Sequence, residues 1–340
     1  METKLYDHYI AVDWALTNMA IARMTAKSNK ITVVDVPSDV EELKAYLKNL
    51  KGTKILTIEE TTTSQWLYTE LKDFVDKLVI CDPYRNKLLS EGPKNDKIDA
   101  AKLVQLLKAD LLKEVYHSGE KFLSLRKVVS AYSDLVAAGV RLKNQRYSLL
   151  RACGLAGKEK RGVELPSKED RFVLACLERQ IESYEREKEG YEKEFAKLER
   201  KYPEIQNQDS LPGIGLISAV KIVSRIVSPQ RFPDKGHFLS YAGLIQLEKK
   251  SGMVSYGRKN SRYCSEMKSV YKTGVLGAIG NDNEINDYYE SLIREKGYVD
   301  YNARHKACRR LAVLSWGVFK SGKRYERHRR EPVNEESQES

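Results

Sequence analysis

Gly92-Pro-Lys-Asn-Asp-Lys-Ile-Asp-Ala-Ala-Lys-Leu-Val-Gln-Leu-Leu107 is the stretch on which the reading of this chain turns. Asp96 and Asp99 stand three apart at the head of an apolar-periodic run, Ile98, Leu103, Leu106 and Leu107. A helix here therefore carries both carboxylates on one face of its first turn. Pro93 breaks what precedes, and Asn95 is placed to cap the helix. Acids in a first turn also complement the helix dipole, so the pair alone does not make a site. Its meaning depends on which other acids the fold brings to it.

Upstream, three closely spaced segments rich in β-branched residues read as a meander of strands: residues 8–14, 19–24 and 30–36. Ser38 is placed to cap a helix through Leu43, Leu47 and Leu50. A fourth strand, 54–58, ends at Glu59-Glu60; a helix near 65–74, a fifth strand, 77–82, and the helix bearing Asp96 and Asp99 follow. That alternation predicts a mixed sheet with helices on both faces.

Acids fall at suggestive places on this plan. Asp13 interrupts the apolar strand Ile10-Ala-Val-Asp-Trp14, where a carboxylate is costly unless it is paired or holds a metal. Glu59 or Glu60 ends the fourth strand; alternation sends these neighbours to opposite faces, so only one of them can join Asp13. Carboxylates converging at adjacent strand ends suit Mg²⁺, a hard ion that takes oxygen ligands and leaves positions for phosphate oxygens. Two such ions promote phosphodiester displacement.

The order of elements, together with V-D-W at 12–14, I-E-E-T-T at 58–62, D-P-Y-R at 82–85 and K-N-D-K-I-D-A at 94–100, resembles the insertion-sequence transposases of family 110. These are the DEDD enzymes that include the Piv- and MooV-type DNA recombinases. The resemblance implies an α/β RuvC-like (ribonuclease-H-like) domain over residues 1–115, with Asp13, Glu59, Asp96 and Asp99 as catalytic metal ligands. Asn95 stands where the family usually has threonine.

Residues 116–205 are long polar–apolar helical patterns. Ile181, Tyr184, Tyr191, Phe195 and Leu198 have the spacing of a coiled-coil seam, which a solvated helix packed on its own domain shares. The resemblance makes this segment a helical coiled-coil linker and implies a homodimer or homotetramer. Residues 206–325 correspond to a mainly α C-terminal transposase domain, and 326–340 read as a disordered tail. Within the C-terminal part, Leu211-Pro-Gly-Ile-Gly215 has the glycine spacing of a helix-hairpin-helix turn, where Gly213 and Gly215 would let backbone N–H groups face a phosphate; an ordinary turn has the same spacing.

Ser251-Gly252 lies in a basic loop with Lys249, Lys250, Arg258, Lys259 and Arg262. By resemblance Ser251 is a serine nucleophile that forms a 5′-phosphoserine link to DNA, with Ser255 and Ser261 as nearby competitors. Arg309 and Arg310 are further candidates for phosphate contacts, whereas His305 and Cys308 read as packing rather than a zinc pair.

Charge supports a polyanionic partner. Of the net +11, residues 221–330 hold 23 Lys+Arg against 10 Asp+Glu, a balance of +13 that leaves −2 for the rest. Five scattered cysteines without a C-x-x-C pair argue against disulfide or cysteine-zinc frameworks, and no apolar run reaches the length of a membrane span. The expectation is a cytoplasmic, nucleoid-associated DNA recombinase acting on donor and target DNA. By resemblance alone it is directed by a bridge-type guide RNA. The alternatives are a RuvC-like, metal-dependent DNA-junction hydrolase without a covalent intermediate, and a non-catalytic nucleic-acid-binding protein.

Overall fold

The computed structural model describes residues 5–86, 95–117, 122–155, 165, 167–252, 254–259 and 262–327. Two compact units divide the chain, Met1–Glu120 and Lys121–Ser340.

The first unit is a five-stranded mixed sheet of order β3-β2-β1-β4-β5. Its strands are β1 (His8–Trp14), β2 (Asn18–Thr25), β3 (Ser28–Pro37), β4 (Lys54–Glu59) and β5 (Lys77–Cys81). β1, β2 and β3 pair antiparallel, while β4 and β5 run parallel to β1. Helices α1 (Val40–Asn49) and α2 (Ser64–Leu71) serve the parallel crossovers, and a short helix α3 (Pro83–Asn86) follows β5. Alternation along β1 divides its side chains between two cores. Ile10 and Val12 meet Leu43, Leu47, Leu67 and Leu71 on the α1–α2 side. Tyr9 and Ala11 meet Ala100, Leu103, Val104 and Leu107 of helix α4 (Asp96–Lys108) on the other.

Two local expectations shift. Asp39, not Ser38, caps α1, accepting from the N–H groups of Glu41 and Glu42, while the Ser38 hydroxyl donates to Ala15 O. The stripe of α4 that meets the sheet is Ala100, Leu103, Val104 and Leu107; Ile98 is exposed and Leu106 half-buried. Small side chains explain this, because Ala100 lies against Ala11, Ala20 and Ala22, where nothing larger is needed to close the gap. Asn95 caps α4 as expected, its side chain accepting from Lys97 N–H.

The second unit is helical. α5 (Leu123–Ala152) and α6 (Lys168–Lys201) pair antiparallel, since Tyr132 meets Phe195, Gly139 meets Tyr184 and Arg146 meets Glu178. A Cβ at Gly139 would lie 2.3 Å from the Tyr184 ring, so the helices approach closely there. The aromatic seam of α6 thus faces the chain's own α5, with Tyr184 and Phe195 buried. Then follow α7 (Pro203–Asp209), α8 (Leu216–Ile226), α9 (Lys235–Tyr241), a hairpin of β6 (Leu247–Ser251) and β7 (Val254–Lys259), α10 (Ser265–Ala278), α11 (Glu284–Arg294) and α12 (Asp300–Ser321).

Buried polar groups tie this bundle together. Gln208 donates to Ser315 O at 2.9 Å and accepts from the Ser315 hydroxyl at 2.6 Å, and Tyr271 OH meets the same hydroxyl at 2.8 Å. Glu266 of α10 accepts from Ser133 of α5 and Arg225 of α8, with Lys221 at 3.5 Å. Burial works against ionising Glu266, but Arg225, Ser133 and Lys221 outweigh it and hold the carboxyl below its usual range. Arg327, expected in the tail, pairs with Asp282 and Asp287; residues 328–340 lie outside the described residues. Among the described residues no helix is long and apolar enough to cross a membrane.

Candidate active site

The acids of the first unit gather at one sheet edge because of direction and parity. β1 and β4 run parallel in a register that sets Val12 beside Ile58, so Asp13 and Glu59 end neighbouring strands. Glu59 has the parity of Ile55 and Asp13 that of Ala11, both on the α4 face. Glu60 follows with the opposite parity, its N–H donating to Cys81 O at 2.9 Å.

Helix α4 runs antiparallel to β1. At its C-terminal end Lys108 donates to Thr25 O, and Thr25 pairs with His8 at the start of β1, so the first turn of α4 lies at the edge where β1 ends. Asp96 and Asp99 are one turn before Ala100 and Leu103, so the stripe that packs on the sheet runs out as two carboxylates beside Asp13 and Glu59.

Electrostatics registers the convergence. The Asp13 carboxyl is pushed up to about 6, first by burial and then by Asp96 and Asp99. Burial, then Asp13 and Asp99, holds Glu59 above the usual carboxylate range. Among the described residues none of the four has a basic side-chain partner or a hydrogen-bond donor on its carboxylate. Asp35, a fifth acid on the same face, is paired with Lys97 at 3.5 Å; sequence reasoning missed it, though its place in the β3 alternation was the available signal. Among the described residues, no three His, Cys, Asp or Glu side chains are grouped closely enough to hold a metal ion. The donor set is nevertheless the right one for a hard divalent cation: oxygen only, half-buried in part, and short of positive charge.

In the second unit, Ser251 is the last residue of β6 and pairs with Val254 across the hairpin turn, where Gly252 has φ +60°. Lys249 precedes it in β6, and Arg258 and Lys259 lie in β7, opposite Glu248 and Leu247. Lys250 pairs with Glu248 at 3.1 Å. Ser255, Arg262 and the apolar Val254 and Tyr256 are exposed, while Ser261 lies outside the described residues. A two-stranded ribbon with exposed apolar side chains is marginal alone.

The remaining candidates divide. Gly213 has φ +72°, and a Cβ there would lie 2.0 Å from Gly274 O of α10, so its conformation and packing both call for glycine. Gly215 begins α8 with open space around it. Arg310 is held by Glu284. Arg309 is exposed and donates through Nε to Leu244 O at 2.8 Å. Cys308 is buried with its thiol toward Tyr271 O, and the His305 ring packs on Tyr301.

Residues 10–154 match the DEDD family profile of the IS110 type, described as Transposase. Residues 206–290 match the profile described as Transposase IS116/IS110/IS902 family. No curated protein matches the chain.

Proposed function

Since the chain belongs to the IS110 family of transposases, enzymes that cleave and rejoin DNA, we propose that Asp13, Glu59, Asp96 and Asp99 form its metal-dependent centre and Ser251 its nucleophile. The observation that carries this reading is the group of carboxylates at the β1–β4–α4 edge, two of them driven toward neutrality and none matched by a cation among the described residues. A fold tolerates such repulsion where a ligand relieves it. Mg²⁺ suits the all-oxygen donors and, when bound, supplies a Lewis-acid site for phosphate oxygens. The shared parity of Asp13 and Glu59 supports Glu59 over Glu60 as the ligand.

In the proposed reaction the Ser251 hydroxyl oxygen forms a bond to the scissile phosphorus as the bond from phosphorus to the 3′ oxygen breaks. The serine proton balances the departing 3′ oxygen, giving a 3′ hydroxyl and a 5′-phosphoserine. Rejoining reverses these bonds with a 3′ hydroxyl from the other DNA. The position of Ser251 at the tip of an exposed, basic hairpin supports a role on an extended substrate. Donor and target DNA are the substrates, brought together by a homodimer or homotetramer whose sequence choice comes from a bridge-type guide RNA. The +13 balance of residues 221–330 supports a nucleic-acid surface of that kind.

The test is a covalent trap with full-length protein, Mg²⁺, end-labelled element-junction DNA and the flanking RNA, resolved on a denaturing gel. A labelled protein–DNA adduct lost in both Ser251→Ala and Asp99→Ala is the expected result. DNA cut without an adduct and indifferent to Ser251→Ala would replace the serine mechanism with hydrolysis by water.

A further inference from the structure

The basic excess of the second unit is not spread evenly once ion pairs are assigned. Lys221 and Arg225 meet Glu266, Arg304 meets Asp300, Arg310 meets Glu284, and Arg327 meets two aspartates. Lys268 and Lys272 of α10 and Arg309 of α12 have no carboxylate partner among the described residues. They share one face with His305, whose pKa is lowered first by burial and then by Lys272, Arg309 and Lys268. All three cations act on His305 with the same sign, and among the described residues no ion pair offsets them, so positive charge concentrates on this face. Keeping like charges together costs stability unless a polyanion neutralises them.

This face is fastened to both feet of the Ser251 hairpin. Arg309 donates to Leu244 O just before β6. Lys268 Nζ stands 4.7 Å over the Tyr263 ring just after β7. That ring packs on Gly243, where φ is +67° and a Cβ would lie 2.4 Å from it. Cys264 N–H donates to Tyr241 O at 2.8 Å and closes the base.

We propose that the α10–α12 face formed by Lys268, Lys272, His305 and Arg309 docks the phosphate backbone of duplex DNA at the root of the hairpin. It holds the strand that leads to Ser251; in that respect it rests on the reading of Ser251 given above, whereas the binding itself does not. Three cations and an imidazole spaced along two packed helices suit successive phosphates, which position DNA without reading its sequence. The exposed Tyr301, set edge-on to the His305 ring, borders the face.

The experiment is fluorescence anisotropy of the full-length protein with a labelled, random-sequence DNA duplex of about 30 base pairs, titrated at salt between about 50 and 200 mM. Each phosphate contact removed lowers the slope of log affinity against log salt by about 0.9. Lys268→Gln with Lys272→Gln is expected to flatten it by about 2 and to weaken binding roughly tenfold or more at the lower salt. Arg294→Gln, whose side chain is paired with Glu290 on α11, serves as the control and leaves the slope unchanged. An unaltered melting temperature establishes that the double variant folds; if it does not fold, Lys272→Gln alone, at an exposed position and expected to flatten the slope by about 1, replaces it. An unchanged slope overturns the proposal, and so does a loss confined to an RNA duplex of the same length. Ser251→Ala separates the two readings: it removes the covalent adduct if the serine assignment holds, and it leaves the anisotropy slope intact in either case.

Discussion

Replacing Asp13 with asparagine is expected to stabilise the metal-free protein while abolishing DNA cleavage. The folded carboxyl titrates at about 6 against an ordinary 3.8. At ~1.36 kcal/mol per pH unit that difference corresponds to about 3 kcal/mol of strain on the charged form. Asp13 is half-exposed, and solvent screening brings the expectation to about 1–2 kcal/mol. The sign follows from linkage. A carboxyl whose folded pKa is raised favours the fold in its protonated form, so its contribution is fully present below about 3.8 and is lost as pH rises through about 6.

Asparagine has no proton to lose. The variant should therefore match the wild type within about 0.5 kcal/mol at pH ~3.5, below both pKa values, and exceed it at pH ~8, by a few degrees in melting temperature. Calorimetry in chelator at both pH values measures this directly. Saturating Mg²⁺ should reverse the order at pH 8, because a ligand that binds only the folded wild-type site raises its stability by mass action. A variant less stable than wild type at both pH values, or a gain indifferent to pH, would refute the electrostatic account of the edge.

Gly213→Ala should cost about 2–5 kcal/mol by urea denaturation, combining positive φ with a Cβ driven into Gly274 O; Gly215→Ala, at φ −100° in open space, should stay within about 0.5 kcal/mol. Ser315→Ala leaves the Gln208 carbonyl and the Tyr271 hydroxyl without their buried partner and should cost about 1–3 kcal/mol in the same assay. Gly139→Val forces the Tyr184 ring off α5 and should cost about 1–3 kcal/mol, read as an earlier thermal transition.

The first unit was legible because burial there follows a period. β1 alternates between two cores, so one strand's pattern carried both the sheet and the face on which Asp13 falls. In α4 the difference falls on alanines: an apolar pattern weighs size and favours Ile98 over Ala100, while the sheet surface of Ala11, Ala20 and Ala22 selects for smallness. α11 was missed although Asn283 caps it and Ile285, Tyr289 and Leu292 have helical spacing; its many polar residues hid the stripe. The β6–β7 hairpin had no such signal, since a ribbon whose describable side chains are all exposed leaves no alternation to read.

The basic face of the second unit shows what spacing alone leaves open. Lys221 and Arg225 stand four apart on α8, as Lys268 and Lys272 do on α10. In sequence the two pairs are equivalent. In the fold, Glu266 of α10 turns toward α8 and neutralises the first pair, and the same helix carries the second pair with no carboxylate partner among the described residues. The acid site of the first unit has the converse form, carboxylates with no cation partner among the described residues. Net charge therefore understates both surfaces. What marks each as a place for a charged ligand is the charge left over after the fold has paired what it can, and that remainder is set by tertiary neighbours rather than by composition.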